Sequence, residues 1–133
     1  MYLIDTNICI YAMKNSFPAL TKKLFQTSPD EIFVSSITVG ELEYSCEKSN
    51  WGERSRHIMN LFLSTYSILS FDREDAKLYG CIRAELEKKG TPIGTYDTLL
   101  AGQALSKGLT FVTHNTRKFN HVPNLKVEDW VED

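Results

Sequence analysis

Tyr2-Leu3-Ile4-Asp5-Thr6-Asn7-Ile8-Cys9-Ile10 opens the chain with a short apolar strand, a carboxylate and the start of an apolar helix. Three consecutive strand-forming residues without polar alternation read as a strand covered on both faces. Asp5 ends it, and Thr6 to Met13 continues at helical spacing. Strand, polar residue, helix is the opening of a parallel α/β unit.

The same grammar recurs outward from this stretch. Ile32-Phe33-Val34-Ser35-Ser36 is a second strand followed by a helix from about Ile37 to Glu47. Ile68 to Phe71 is expected as a third strand, and Asp72 to Lys89 as a long helix with Leu78, Tyr79, Ile82 and Leu86 on one face, stopped by Gly90. Thr95 to Ser106 reads as a helix ending near Gly108, then Leu109 to Val112 and Leu125 to Val127 as the last two strands. Phe17 to Gln26 adds a short helix. Arg54 to Tyr66 adds another, with Ile58, Leu61, Phe62 and Tyr66 as its expected inner stripe. Strands alternating with helices predict an α/β fold with a five-stranded parallel sheet and helices on both faces. In such sheets ligands bind beyond the carboxyl ends of the strands.

With 133 residues, 42% hydrophobic and 24% charged, the chain is expected to form a single domain, 1–133. The first five residues lack a basic leader and no apolar run approaches bilayer length, so a cytoplasmic location is expected. Cys9, Cys46 and Cys81 are odd in number and widely spaced, which argues against a disulfide framework or a zinc site; all three read as small buried hydrophobes. A net charge of −2 does not advertise nucleic-acid binding, so any such contact is local. Lys88-Lys89, Arg117-Lys118 and the Lys14 to Lys23 region are the basic candidates, each also readable as a solvated helix face.

Chemistry concentrates in carboxylates. Asp5 sits where the sheet rule puts a site, and an ionised group at the edge of a core needs a cation or hydrogen bonds. It is equally suited to cap the helix beginning at Thr6. Glu41 lies one turn into the second helix, on a face with Ile37 and Tyr44; alone, it reads as a partly exposed helix residue. Asp97 is the most informative, because Leu100, Ala101, Ala104 and Leu105 follow it on the inward stripe of its helix. The helix N-terminus offers such a charge less than about 1 kcal/mol, too little to offset burial. Three carboxylates gathered at one sheet edge call for a metal or raised pKa values. All-oxygen ligands suit Mg²⁺ or Mn²⁺, ions that work on phosphates. Asn115, after the fourth strand, is the expected fourth edge of the site, or simply a turn residue. His57 and His121 receive no role, and His114 is expected to be structural or exposed.

Read together, five segments resemble the PIN-domain ribonucleases, most closely the VapC toxins of bacterial toxin–antitoxin pairs. They are Leu3-Ile4-Asp5-Thr6-Asn7, Ser35-Ser36-Ile37-Thr38-Val39-Gly40-Glu41-Leu42, Pro92-Ile93-Gly94-Thr95-Tyr96-Asp97, Val112-Thr113-His114-Asn115-Thr116-Arg117-Lys118-Phe119 and Val127-Glu128-Asp129-Trp130. The resemblance implies a three-layer α/β/α sandwich and places Asp5, Glu41 and Asp97 on metal-site acids for Mg²⁺ or Mn²⁺. It makes Asn7 a hydrogen bonder behind the ligands, and Thr113 and Asn115 the polar positions after the fourth strand. It implies in-line attack of water on an RNA phosphodiester, leaving a 5′-phosphate and a 3′-hydroxyl. Structured RNA is the implied substrate, in some relatives the anticodon stem-loop of initiator tRNA. A homodimer and a cognate VapB-type antitoxin are the implied partners, with Ile10, Tyr11, Phe17, Phe25 and Trp51 as surface candidates; Ile10 and Phe25 are expected in the core. Two positions depart from the pattern. Asn115 stands where many relatives have Asp, and Lys118 where a close subgroup has Glu, so a second ion would be held weakly and Lys118 is free to touch RNA backbone.

Rival classes fare worse. A phosphatase using Asp5 as nucleophile needs a second Asp two residues on, where Asn7 stands. A non-catalytic RNA- or antitoxin-binding module on the same fold is the alternative, and three intact acids argue against it.

Overall fold

The computed structural model describes residues 1–50 and 52–132. Along the chain run β1 (Tyr2–Ile4), α1 (Thr6–Met13), α2 (Pro18–Gln26), β2 (Ile32–Ser35), α3 (Ser36–Lys48), α4 (Gly52–Thr65), β3 (Ser67–Leu69), α5 (Arg73–Lys88), α6 (Thr95–Ser106), β4 (Thr110–Val112), α7 (Thr116–Phe119) and β5 (Val127–Glu128). The strands form one parallel sheet in the order β3-β2-β1-β4-β5. The expected five-stranded parallel α/β sandwich is therefore present.

The two-residue period of a strand explains the layering. Ile4, Ile32, Val34 and Val112 turn to one face and pack with Ile8, Cys9, Leu20, Leu42, Cys46 and Met59 of α1 to α4. Leu3 and Phe111 turn to the other and pack with Ile82 and Leu86 of α5 and Leu100, Ala101 and Ala104 of α6. Each such fully buried aliphatic side chain contributes roughly 1.5–3 kcal/mol of transfer free energy. Both predicted stops hold: Gly90 and Gly108 adopt φ of 73° and 66°, the left-handed region that a Cβ disfavours, just after α5 and α6.

Helices α5 and α6 approach closely because of one glycine. A Cβ at Gly102 would lie 2.8 Å from the backbone nitrogen of Tyr79, so only hydrogen fits there. The start of α5 is fixed by a reciprocal capping box between Asp72 and Asp75. Lys107 then pairs with both acids, at 2.6 Å from Asp72 and 2.9 Å from the fully buried Asp75.

Several expectations need correction. The inner contact of α4 is Met59, whose sulfur meets the Cys46 thiol at 3.8 Å, while Ile58 and Leu61 are 38% and 58% exposed. Packing against α3 rotates the stripe by about one residue. Phe25, expected in the core, is 88% exposed, because α2 buries only Leu20 completely. Cys81 is exposed, since α5 turns Ile82 and Leu86 inward instead. β3 begins one residue earlier and β5 two residues later than expected. Edge strands have hydrogen bonds on one side only, so apolar pattern constrains their ends weakly. Trp51 lies outside the described residues.

Candidate functional site

Order β3-β2-β1-β4-β5 has a physical consequence. The chain winds outward from β1 through β2 to β3, then crosses back to β4 on the other side of β1. Diverging connections leave a crevice at the carboxyl ends of β1 and β4. Asp5 is the first residue past β1, its amide bonded to Val112 O of β4 at 2.9 Å. Thr113 is the first past β4, and its hydroxyl donates to Asp5 Oδ2 at 2.8 Å.

Asp5 stands at the N-cap position of α1, yet its side chain makes no capping bond there. Its carboxylate is used otherwise. It is only 6% exposed, and its pKa rises from 3.8 to about 6. Burial is the largest cause, opposed by the Thr113 hydroxyl; the charge of Asp97 raises it further, the Thr6 amide lowers it, and the charge of Glu41 adds to the rise. Asp97 and Glu41, both distant in sequence, thus bring their charges to bear on Asp5 at one end of the sheet.

Glu41 reaches this end from α3. Its Oε1 accepts from the Thr6 hydroxyl at 2.7 Å, and Thr6 also meets the buried Thr38 hydroxyl at 2.9 Å. Asp97 comes from the first turn of α6, half-buried, with Lys118 Nζ 2.9 Å from its Oδ2. Asn115 is brought to the same turn but faces a different task. It caps α7, its Oδ1 accepting from the Lys118 backbone amide at 3.4 Å, while its own backbone N–H donates to Thr113 Oγ1 at 3.1 Å. A chain of bonds therefore runs from Asn115 through Thr113 to Asp5. Asn115 orients the group that orients the acid.

Sequence reasoning named the acids but not this wiring. Thr6 as the link between Glu41 and Thr38, and Lys118 as the partner of Asp97, became visible only in three dimensions. His114 is exposed as expected; its Nδ1 lies 3.0 Å from Asp129 Oδ2, and its ring packs near Tyr11 and Phe17. Asn7 is exposed on α1 and lines a groove of about 670 Å³ with Thr6, Ile10, Gly40, Glu41, Tyr44 and Tyr96. Tyr44 and Tyr96 are 66% and 58% exposed on its walls.

The donor set fits a hard divalent cation. Asp5, Glu41 and Asp97 offer only carboxylate oxygens, and the charges of Asp97 and Glu41 add to the burial that raises the Asp5 pKa. Among the described residues, His114, Asp129 and Glu132 have ligand atoms within 4.8 Å of one another; the three site acids are not drawn in so tightly.

Residues 2–125 match the PIN domain model. The chain belongs to the PIN-domain family, among the VapC ribonucleases. It is 42% identical over 129 residues, 97% of both chains, to a tRNA(fMet)-specific endonuclease VapC of Salmonella typhimurium. It is also 42% identical over 130 residues, 98% of both chains, to a ribonuclease VapC2 of Haemophilus influenzae. The fold superposes with a TM-score of 0.92 on VapBC2 from Rickettsia felis, crystallised bound to a DNA fragment from their promoter. That chain is 36% identical, with 97% of this chain and 98% of that one covered. The sequence expectation of a VapC-type PIN ribonuclease holds, and this PIN domain carries the fold without a large insertion.

Proposed function

We propose that this PIN domain is a divalent-metal-dependent endoribonuclease toxin of a toxin–antitoxin pair, with Asp5, Glu41 and Asp97 as its metal-binding acids. The observation that carries the reading is Asp5: a carboxylate 6% exposed, at the switch point of a parallel sheet, its pKa pushed to about 6 and its charge opposed by two further acids. Folding does not gain from such a group, so it is retained for what it binds.

Mg²⁺ or Mn²⁺, when bound, polarises a phosphodiester and makes a water a better nucleophile near neutral pH. The chain's own residues do the rest. Thr113 holds Asp5 by its Oδ2, Thr6 holds Glu41, and Asn115 holds Thr113. Preorganised ligands of this kind need no rearrangement when charge develops on the phosphate. In-line attack leaves a 5′-phosphate and a 3′-hydroxyl. The RNA 2′-hydroxyl takes no part.

Structured RNA is the proposed substrate class, with the anticodon stem-loop of initiator tRNA as first candidate, by similarity to the Salmonella relative named for tRNA(fMet). Tyr44 and Tyr96 on the groove walls are suited to stack unpaired bases beside the scissile phosphate. A cognate VapB-type antitoxin is the proposed inhibitor, in keeping with the VapBC complexes that share the fold. A mainly apolar groove lined by Ile10, Met13, Leu42, Cys46, Ile58 and Met59 offers it a seat. Phe25, 88% exposed, is the proposed centre of a homodimer contact. The proposed place of action is the cytoplasm; among the described residues no helix is long and apolar enough to cross a membrane.

The test is cleavage of total bacterial RNA by antitoxin-free protein with Mn²⁺, Mg²⁺ or EDTA, beside Asp97→Asn, followed by mapping of the new ends. Metal-dependent cuts at few sites, lost in the variant, are expected. RNA retention without cleavage under any metal would instead establish a non-catalytic binding module on the PIN fold.

A further inference from the structure

Asp97 is the acid whose charge the protein already meets. The Lys118 ammonium lies 2.9 Å from its Oδ2, and among the described residues this is the ion pair formed by the three site acids. The lysine is delivered by the same turn that holds Asp5. Asn115 accepts from the Lys118 amide and donates to Thr113, and Thr113 donates to Asp5. Backbone and side-chain bonds of one short segment thus fix both an acid and a base at the site.

The pair is a poor device for stability. Its side chains are 36% and 27% exposed, and ion pairs that water can reach contribute little to folding. It is better placed for charge. Three carboxylates carry −3, and one divalent ion leaves −1, which a single ammonium balances. An incoming phosphodiester brings a further negative charge that grows during in-line attack. A lysine is a point charge on a flexible four-carbon stem, able to follow that charge from a carboxylate oxygen to a phosphate oxygen.

On the ribonuclease reading above, we propose that Lys118 is a resident cation of the site. It neutralises Asp97 while RNA is absent and competes there with the divalent ion. When RNA arrives, it moves onto a non-bridging oxygen of the scissile phosphate. On this reading Lys118 supplies positive charge that a second ion would otherwise bring.

Lys118→Met and Lys118→Arg in the full chain test this, with Mn²⁺ titrated calorimetrically without RNA and cleavage followed under single-turnover conditions at saturating Mn²⁺. Lys118→Met is expected to bind Mn²⁺ roughly two- to fivefold more tightly, because a weak competing ion pair is gone. It is expected to cleave about 10- to 100-fold more slowly, the loss typical of a charge-assisted hydrogen bond. Lys118→Arg retains most of the cleavage. The Lys118 side chain is part-exposed and its cap bond is through the backbone, so melting curves should confirm that both variants fold. Unchanged Mn²⁺ affinity and rate in Lys118→Met would overturn the proposal. So would tighter Mn²⁺ binding with undiminished cleavage, which removes the phosphate role. A wild-type chain that neither binds Mn²⁺ nor cuts RNA would sink the ribonuclease reading itself, so the two failures are distinct.

Discussion

Replacing Asp5 by Asn should stabilise the metal-free protein while abolishing RNA cleavage. The Asp5 pKa rises from 3.8 to about 6 in the folded chain, chiefly because the carboxylate is buried. At 1.36 kcal/mol per unit, ionising Asp5 costs the fold at most about 3 kcal/mol. The sign follows from proton binding. Below pH 3.8 the carboxyl is protonated folded and unfolded alike, and no penalty exists. Between pH 3.8 and 6 the unfolded chain releases its proton while the folded chain keeps it, so stability falls as pH rises. Above about pH 6 the loss is complete.

Asparagine removes the charge but leaves one amide N–H₂ facing donors that the carboxylate accepted, which costs about 1 kcal/mol or more, so the net gain is up to about 2 kcal/mol at pH 7.5. For a chain of this length that corresponds to a midpoint rise of up to roughly 10 °C. Thermal melts in EDTA from pH 4 to pH 8 measure it. The gap between variant and wild type should open as pH rises through 4 to 6, and Mn²⁺ should close it by stabilising only the wild type. A gap that is constant with pH, or a variant less stable throughout, would refute the idea that Asp5 carries an uncompensated charge.

Four further outcomes follow from the same geometry. Thr113→Val removes a bond that lowers the Asp5 pKa, so in the metal-free protein that pKa should rise further above about 6; an NMR titration of the Asp5 carboxyl in EDTA checks it. Tyr96→Ala should weaken RNA binding roughly tenfold or more while leaving Mn²⁺ affinity unchanged, as loss of one stacked base would; binding to a fluorescent stem-loop with Asp97→Asn in the background separates affinity from turnover. Gly102→Ala forces a Cβ to 2.8 Å from Tyr79 N and should cost about 1–3 kcal/mol in urea unfolding. Removing metal with EDTA should stop cleavage and lower the wild-type midpoint at pH 7.5, with no effect on the Asp5→Asn midpoint.

The order of strands and helices was readable because each element is short, apolar and punctuated. Strands of three or four residues buried on both faces leave little ambiguity of type, and Gly90 and Gly108 mark helix ends by a backbone conformation that other residues disfavour. Two of the three proposed site acids stood out for a related reason, while Glu41 taken alone read as a partly exposed helix residue. Asp5 follows a buried strand and is itself only 6% exposed, where a charge is costly, and Asp97 heads a buried helical stripe. Where a face is only partly covered, the pattern failed. Met59 rather than Ile58 or Leu61 seats α4, and Phe25 lies outside, because neighbouring helices, not local periodicity, decide which apolar residue is covered.

The wiring of the site belongs to tertiary structure alone. Thr113 lies 108 residues from Asp5, Thr6 lies 35 from Glu41, and Lys118 lies 21 from Asp97. No local spacing encodes those contacts. They arise because the sheet order sets β1 beside β4, which brings the turn after β4 over the first acid. The sequence by itself named Asp5, Glu41 and Asp97 as the proposed acids, since their residue type and their places after a strand or on an apolar helical stripe are local properties. Which hydroxyl holds which acid, and which lysine meets which carboxylate, was decided by topology, since only the folded chain brings such distant residues within hydrogen-bond reach.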